Sequence, residues 1–269
     1  QKLELEHEYP MWSLQKCYVG GPIIEYNHET VTTPKLDGAA VALYYYQGHL
    51  IKAITRGNGK KGQNVLDKMK TLVPNTIKYT PDKLIVQITG EVVAPAYIEN
   101  ARNYAAGALN LKSVDEFTTR ELYFVAYGLT PNANKTWSED INLLEQLGFI
   151  TVFSGNLIFP TDGKVIRIND NLTFFSLGYT SKHPRGAYAL KEKNAGYTTK
   201  LLDVVWQVGR TGVVSPVAIL EPVNIDGANV SKATLHNIKY IEDLGLELGC
   251  LVEVVRAGEI IPQVVSRVD

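Results

Sequence analysis

The stretch that decides the reading is Thr33-Pro34-Lys35-Leu36-Asp37-Gly38, followed by the apolar run Ala39-Ala40-Val41-Ala42-Leu43-Tyr44-Tyr45-Tyr46. It reads as strand, turn, strand, with one lysine held at the turn. A nucleophilic lysine needs such a setting, because its amine must be fixed and made less basic than a free one. Nearby cations or partial burial would do this, since both disfavour the ammonium form. Asp37 lies two residues on, on the same face of an extended chain as Lys35. It would bind a sugar hydroxyl or a metal. Gly38 lets the backbone turn or lets a ligand approach closely. The competing reading of these six residues is a solvated Lys-Asp pair at a turn, so the rest of the chain has to decide.

The chain has 269 residues, enough for one large domain or two ordinary ones. Its 45% hydrophobic content is that of a globular chain with a sizeable core. The net charge of −1 means that an anionic partner must be met by local clusters and not by a global positive field. The two cysteines, Cys17 and Cys250, are remote and form no zinc-binding or disulfide pattern. An intracellular, reducing, cytoplasmic setting is the simpler expectation. No run approaches the ~20 apolar residues of a membrane span. The first residue is Gln1 and no signal peptide is visible, so something upstream is expected to be missing.

Along the chain, Tyr9-Pro10-Met11-Trp12-Ser13-Leu14 is an apolar stretch expected to pack on the domain beside a pocket. Gln47-Gly48 signals a hairpin into a second strand, His49 to Thr55. Arg56 to Gly62 holds three glycines and three cations in seven residues. Such a loop can meet phosphate with main-chain NH groups and side-chain charge, or can be a solvated hairpin. It is not a Walker A loop. A short helix over Asn64 to Leu72 would extend the cationic patch through Lys68 and Lys70. A strand from Leu84 delivers Glu91 among apolar residues, a placement that asks for a metal, a ribose hydroxyl or an ion-pair partner. Residues 95–112 read as a helix entered after Pro95, whose Arg102 would reach a phosphate or solubilise the surface. Tyr127 precedes Gly128, where it would stack on a base or pack in the core. Trp137 to Leu147 is a helix closed by Gly148. In the strand after Pro160, Asp162 stands at the start and Arg167 farther on. Lys35, Arg56, Arg167, Arg185 and Lys191 are expected to converge on one pocket.

The pattern changes around Asn194-Ala195-Gly196. The 75 residues from 195 to 269 are dense in short β-runs around one helix-like insert, Ser231 to Leu244. This predicts a small barrel of the OB type. Gln207-Val208-Gly209-Arg210-Thr211-Gly212 puts an arginine on a glycine turn, suited to a phosphate contact.

The order of these motifs resembles the NAD-dependent DNA ligases across nearly the whole chain. The resemblance rests on Lys35-Leu-Asp-Gly38, Thr55-Arg-Gly-Asn-Gly59, Gly90-Glu-Val92, Ala101 to Gly107, Tyr127-Gly128, Asp162-Gly163 with Val165-Ile166, and Pro184-Arg185 through Lys191. Toward the C-terminus it rests on Gln207 to Gly212, Ala233-Thr-Leu-His-Asn237 and Arg256-Ala-Gly-Glu-Ile-Ile-Pro262. It implies an α+β nucleotidyltransferase (adenylation) domain over 1–194, with ATP-grasp-like antiparallel sheets and flanking helices. A small all-β OB-fold barrel that binds DNA would follow over 195–269. It further implies that Lys35 takes AMP from NAD and passes it to the 5′-phosphate of a nick in duplex DNA. The 3′-hydroxyl would then seal the strand, in repair and replication, with Mg²⁺ assisting.

The residues carried over for chemistry are Lys35, Asp37, Glu91 and Lys191, with Asp37, Glu91 and Asp162 as metal ligands. Ser13, Leu14, Thr33, Leu36, Arg56, Tyr127, Asp162, Val165 and Arg167 would join Lys35, Glu91 and Lys191 around the nucleotide. Arg102, Asn103, Arg185, Arg210, Thr211, His236 and Arg256 would contact DNA. The chain departs from the family pattern at Thr33 (a glutamate in the family), Asn58 and Gln63 (acids), Arg167 (lysine) and Asn110 (arginine). The spacing from Phe149 to Asp162 is short. The nicotinamide-binding module expected upstream, and the zinc-finger, helix–hairpin–helix and BRCT modules expected downstream, are not in the sequence. The resulting expectation is a ligase core that uses NAD when a nicotinamide-binding module is supplied, with a second subunit expected to carry the missing nicotinamide-binding or DNA-binding modules. The alternatives are an ATP-using or RNA-directed nucleotidyltransferase and a non-catalytic nick-binding subunit.

Overall fold

The computed structural model describes residues 4–155, 158–192, 196–225, 227–256 and 261–269. The chain divides into two compact units, Gln1–Glu192 and Lys193–Asp269.

The first unit begins with β1 (Glu4–Glu6), β2 (Gln15–Tyr18), β3 (Thr30–Leu36), β4 (Ala39–Tyr46), β5 (His49–Thr55) and β6 (Lys61–Gln63). Then come α1 (Leu66–Met69), β7 (Ile85–Val93), α2 (Ala101–Ala108), α3 (Val114–Thr118) and β8 (Tyr123–Thr130). It continues with α4 (Trp137–Gln146), β9 (Ile150–Thr151), β10 (Thr161–Ile168), α5 (Asn171–Ser176) and β11 (Ala187–Lys191). Two main sheets result. One runs β5-β4-β7-β8-β9 and the other β2-β11-β10-β3, with β1 and β6 paired apart from them. Turn chemistry explains the local hairpin: Tyr46 faces His49 across Gln47-Gly48, both at positive φ. Helix α4 is capped by Thr136, whose side chain accepts from the Glu139 amide and donates to the Glu139 carboxylate.

The decisive stretch is not a hairpin. Strand β3 ends in the four-stranded sheet, and two residues later β4 begins in the five-stranded sheet. Asp37-Gly38 is therefore the crossing between sheets. Gly38 is required there because a Cβ would collide with the Val92 carbonyl oxygen. The main core lies around the five-stranded sheet, with Val41, Leu43, Ile88, Val125, Ile141 and Leu144 among its fully buried members. Three sequence expectations are corrected here. The helix expected over 95–112 spans only Ala101–Ala108, because Asn100 is left-handed, with φ 53°. Lys68 does not extend a cationic patch, because its ammonium donates to the Leu109 and Leu111 carbonyls. Five amides of the 56–62 loop are already engaged: Lys60 and Lys61 donate theirs to Asn58 Oδ1, and Arg56, Asn58 and Gly59 donate to main-chain carbonyls.

The second unit contains β12 (Tyr197–Val208), β13 (Val214–Ile225), β14 (Ala228–Thr234), α6 (Ile238–Leu244), β15 (Leu251–Val255) and β16 (Gln263–Arg267). The strands close into a barrel in the order β12-β13-β14-β16-β15, with the helix between the third and fourth strands. That closure is the OB topology. Leu201, Leu220, Ala233, Val252 and Val264 fill its core. The helix expected from Ser231 is shorter, since residues up to Thr234 pair with β13 and the helix is capped at Asn237.

Candidate active site

The register of the four-stranded sheet builds the site. Thr33 pairs with Val165, Val165 with Ala189, and Ala189 with Lys16, so the four share one face. Two residues farther along that face stand Lys35 on β3 and Lys191 on β11, the latter paired with Tyr18. Between them β10 carries a bulge: its register against β3 slips between Thr161 and Lys164. Gly163 supplies the bulge with φ 144°, where an added Cβ would collide with the Leu190 carbonyl oxygen. A bulge re-aims a side chain. Here it turns Asp162 onto the lysine face, and Lys35 Nζ lies 3.2 Å from each of its carboxylate oxygens. Lys191 Nζ lies 3.4 Å from Oδ2 of the same group. Two ammonium groups thus share one carboxylate, which leaves a surplus of positive charge.

The remaining acids are held separately. Asp37 pairs with Arg102, Oδ1 to Nε at 3.1 Å. Burial raises the Asp37 pKa against the opposing pull of Arg102. Glu91 on β7 accepts a hydrogen bond from the Tyr127 hydroxyl at 3.0 Å. Burial pushes its carboxyl up to about 7, while that hydrogen bond and the charges of Lys35 and Arg56 pull it down. Burial also holds the Tyr127 phenol well above its ordinary range. Trp137 Nε1 donates to the Tyr127 carbonyl at 3.0 Å, tying the middle of β8 to the start of α4.

Among the described residues, no group of three or more His, Cys, Asp or Glu side chains is placed to hold a metal. The acids expected as ligands have separate partners. Single carboxylates of this kind suit a hydrated Mg²⁺, which needs only one or two protein carboxylates, and not an all-protein cage.

The other expected nucleotide residues fall into three groups. Thr33 and Val165 lie on the site face, and Arg56 is exposed but close enough for its charge to act on Glu91. Leu36 is buried in the core, which leaves only its backbone for a ligand. Ser13 is engaged with the loop before β11, its hydroxyl 3.0 Å from His183 Nδ1, next to half-buried Leu14. Two of the cations have partners away from Asp162. Arg167 is sandwiched between the rings of Trp137 and Phe174, 4.9 and 4.1 Å from their centroids, and burial lowers its pKa to about 10. Arg185 is exposed and directs Nη1 at the Leu177 carbonyl.

For the expected DNA contacts, Asn103 is exposed on α2 beside the half-buried Arg102. Arg210 and Thr211 are exposed on the turn between β12 and β13. His236 is exposed and packs edge-on against Tyr240, and Arg256 is half-buried just past β15. Residues 257–260, which follow Arg256, lie outside the described residues.

Sequence reasoning missed two features. Lys16 joins the cationic face through the parallel pairing of β2 with β11, a contact between residues 173 apart in number. Asp140 is fully buried and accepts from the Ala133 and Asn134 amides and from the side chains of Asn132, Asn134 and Asn171. Only the acid on the apolar face of α4 hinted at the second.

A lysine-bearing strand at the crossing of two sheets, in a chain that also carries an OB barrel, defines an adenylation domain joined to an OB-fold domain. A family model for the NAD-dependent DNA ligase adenylation domain matches residues 2–156, and one for the NAD-dependent DNA ligase OB-fold domain matches residues 198–269. The chain belongs to the NAD-dependent DNA ligase family. It is 35% identical to a DNA ligase of Lachnoclostridium phytofermentans over 303 residues, covering 97% of this chain and 46% of that protein. It is 34% identical to a DNA ligase of Leptospira interrogans (97% and 44%) and 32% identical to one of Aquifex aeolicus (97% and 44%). The chain therefore spans less than half the length of these relatives. A solved structure named "Pmar-Lig_Pre." aligns over 87% of this chain and 60% of its own, with TM-score 0.47 at 14% identity. That likeness adds nothing to the assignment. Among the described residues no helix is long and apolar enough to cross a membrane.

Proposed function

We propose that this chain transfers an adenylyl group from NAD through Lys35 to the 5′-phosphate of a nick in duplex DNA, and then seals the nick. The observation that carries the reading is the shared carboxylate: Lys35 and Lys191 meet at Asp162 on one sheet face. Asp162 fixes the Lys35 amine before the donor arrives. Positioning of this kind supplies a large part of the rate in transfers at phosphorus. Once deprotonated, Lys35 attacks the α-phosphorus. The bond from that phosphorus to the bridging oxygen breaks, and its electron pair leaves on nicotinamide mononucleotide. Lys191 stands ready for the charge that grows on the non-bridging oxygens. The Tyr127 ring would take the adenine, and Glu91 and Asp37 the ribose hydroxyls. Asp37, Glu91 or Asp162 would hold Mg²⁺, which would supply neutralisation of phosphate charge. The exposed Arg210–Thr211 turn of the barrel, with His236 and Arg256, would contact the DNA backbone, and Arg102, Asn103 and Arg185 are the corresponding candidates on the first unit. Such contacts weaken steeply with salt.

The test is sealing of a nicked duplex with a labelled 5′-phosphate, in the presence of NAD, Mg²⁺ and a nicotinamide-binding module added in trans. Accumulation of adenylylated strand and sealed product is expected, and both should vanish in Lys35→Ala. Sealing by that variant from a free 5′-phosphate would refute the lysine route. A triphosphate donor is the second reading, favoured by Thr33 in place of the family glutamate and by the surplus of cations. Substituting ATP for NAD in the same assay separates the two.

A further inference from the structure

Lys16 has no part in the reading above, yet it is the residue that completes the cationic face. It lies on β2, the outer strand of the four-stranded sheet, opposite Ala189 and diagonal to Lys191 on the neighbouring strand. Directly opposite strands are about 5 Å apart, so a lysine side chain spans that diagonal easily. Lys16 is exposed and forms no ion pair among the described residues. Its ammonium is disfavoured first by the charge of Lys191, then by burial and by Lys35, with only Asp162 opposing. Three lysines thus crowd around one carboxylate, and a free anion would relieve the repulsion.

The order across the sheet states which anion. Lys35 is on β3, Asp162 on β10, Lys191 on β11 and Lys16 on β2. Attack at phosphorus places the nucleophile and the leaving oxygen on opposite sides of the phosphorus atom. With Lys35 attacking from β3 and Lys191 at the α-phosphate, the leaving side faces β2. Resting on the adenylyl-transfer reading, we propose that Lys16 binds the second phosphate of the donor, the one that departs. As the N–P bond to Lys35 forms and the P–O bond to the bridging oxygen breaks, the electron pair stays on that oxygen. The resulting phosphate monoester is received beside the Lys16 ammonium, and the displaced amine proton passes to solvent.

The probes are AMP and ADP, which differ by that phosphate. Their affinities are measured by calorimetry at low fixed ionic strength for wild type, Lys16→Met and Lys16→Arg. A charge-assisted contact gives ADP an advantage over AMP of roughly five- to tenfold in wild type. The expected result is loss of that advantage in Lys16→Met with AMP affinity kept, and its retention in Lys16→Arg. Kept AMP binding also certifies that the variant is folded. An unchanged ADP-to-AMP ratio in Lys16→Met, or equal weakening of both nucleotides, overturns the assignment while leaving the adenylylation reading intact. Failure of wild type to bind either nucleotide overturns that reading and this proposal together.

Discussion

Replacing Glu91 by glutamine isolates the strongest electrostatic feature of the site. Glutamine keeps an oxygen for the Tyr127 hydroxyl and removes the titrating proton. In the unfolded chain Glu91 ionises near its ordinary 4.5, whereas in the folded protein burial raises it to about 7. Folding therefore takes up a proton between these values. The stability this contributes is fully present below about pH 4.5 and is lost as pH rises through about 7. Each pH unit in that window is worth about 1.4 kcal/mol, so the total is about 3 kcal/mol. Glutamine cannot lose this contribution. The stability of Glu91→Gln relative to wild type should thus rise by about 2–3 kcal/mol between pH 5 and pH 8. Urea unfolding of both proteins at several pH values reads this directly. A difference that stays flat with pH, or that falls, would refute the burial argument for Glu91.

Three further outcomes follow from the same geometry. Asp162→Asn removes the group shared by two half-buried ammonium ions that still reach solvent, so it should change stability by only about 1 kcal/mol. It should nevertheless slow adenylylation about a hundredfold, since Lys35 loses its fixed position; single-turnover kinetics with a rate near wild type would contradict this. Gly163→Ala forces a Cβ into the Leu190 carbonyl at φ 144°. It should destabilise the protein by roughly 1–3 kcal/mol and slow adenylylation as well, because the bulge aims Asp162. Asp140→Ala strands the donors that surround a buried carboxylate and should cost about 3–5 kcal/mol in urea unfolding, with little effect on transfer once folded. A loss under about 1 kcal/mol would show that the network is dispensable.

What was legible in the sequence was local. Gln47-Gly48 announced its hairpin because two residues at positive φ can form only a narrow set of turns. Gly148 announced the end of α4, and short alternating runs after Gly196 announced a barrel. What was not legible depends on pairing between distant residues. The Lys35 stretch looks like a hairpin locally, but its two strands find partners in different sheets. The Asp162-Gly163 bulge is visible only once β10 is aligned with β3. Lys16 enters the site through a parallel pairing with β11 that no local pattern encodes. The packing of Arg167, whose planar cation lies against the rings of Trp137 and Phe174, joins residues 30 and 7 apart in number and shows in no local pattern.

The account stands on one covalent event at Lys35. Intact mass of the purified chain, before and after incubation with NAD and Mg²⁺ and followed by peptide mapping, measures it most directly. With a nicotinamide-binding module added in trans, the predicted result is the gain of a single adenylyl group, mapped to Lys35 and absent in Lys35→Ala. No adenylyl adduct with NAD and that module or with ATP, or an adduct on another residue that persists in Lys35→Ala, would contradict lysine-based transfer.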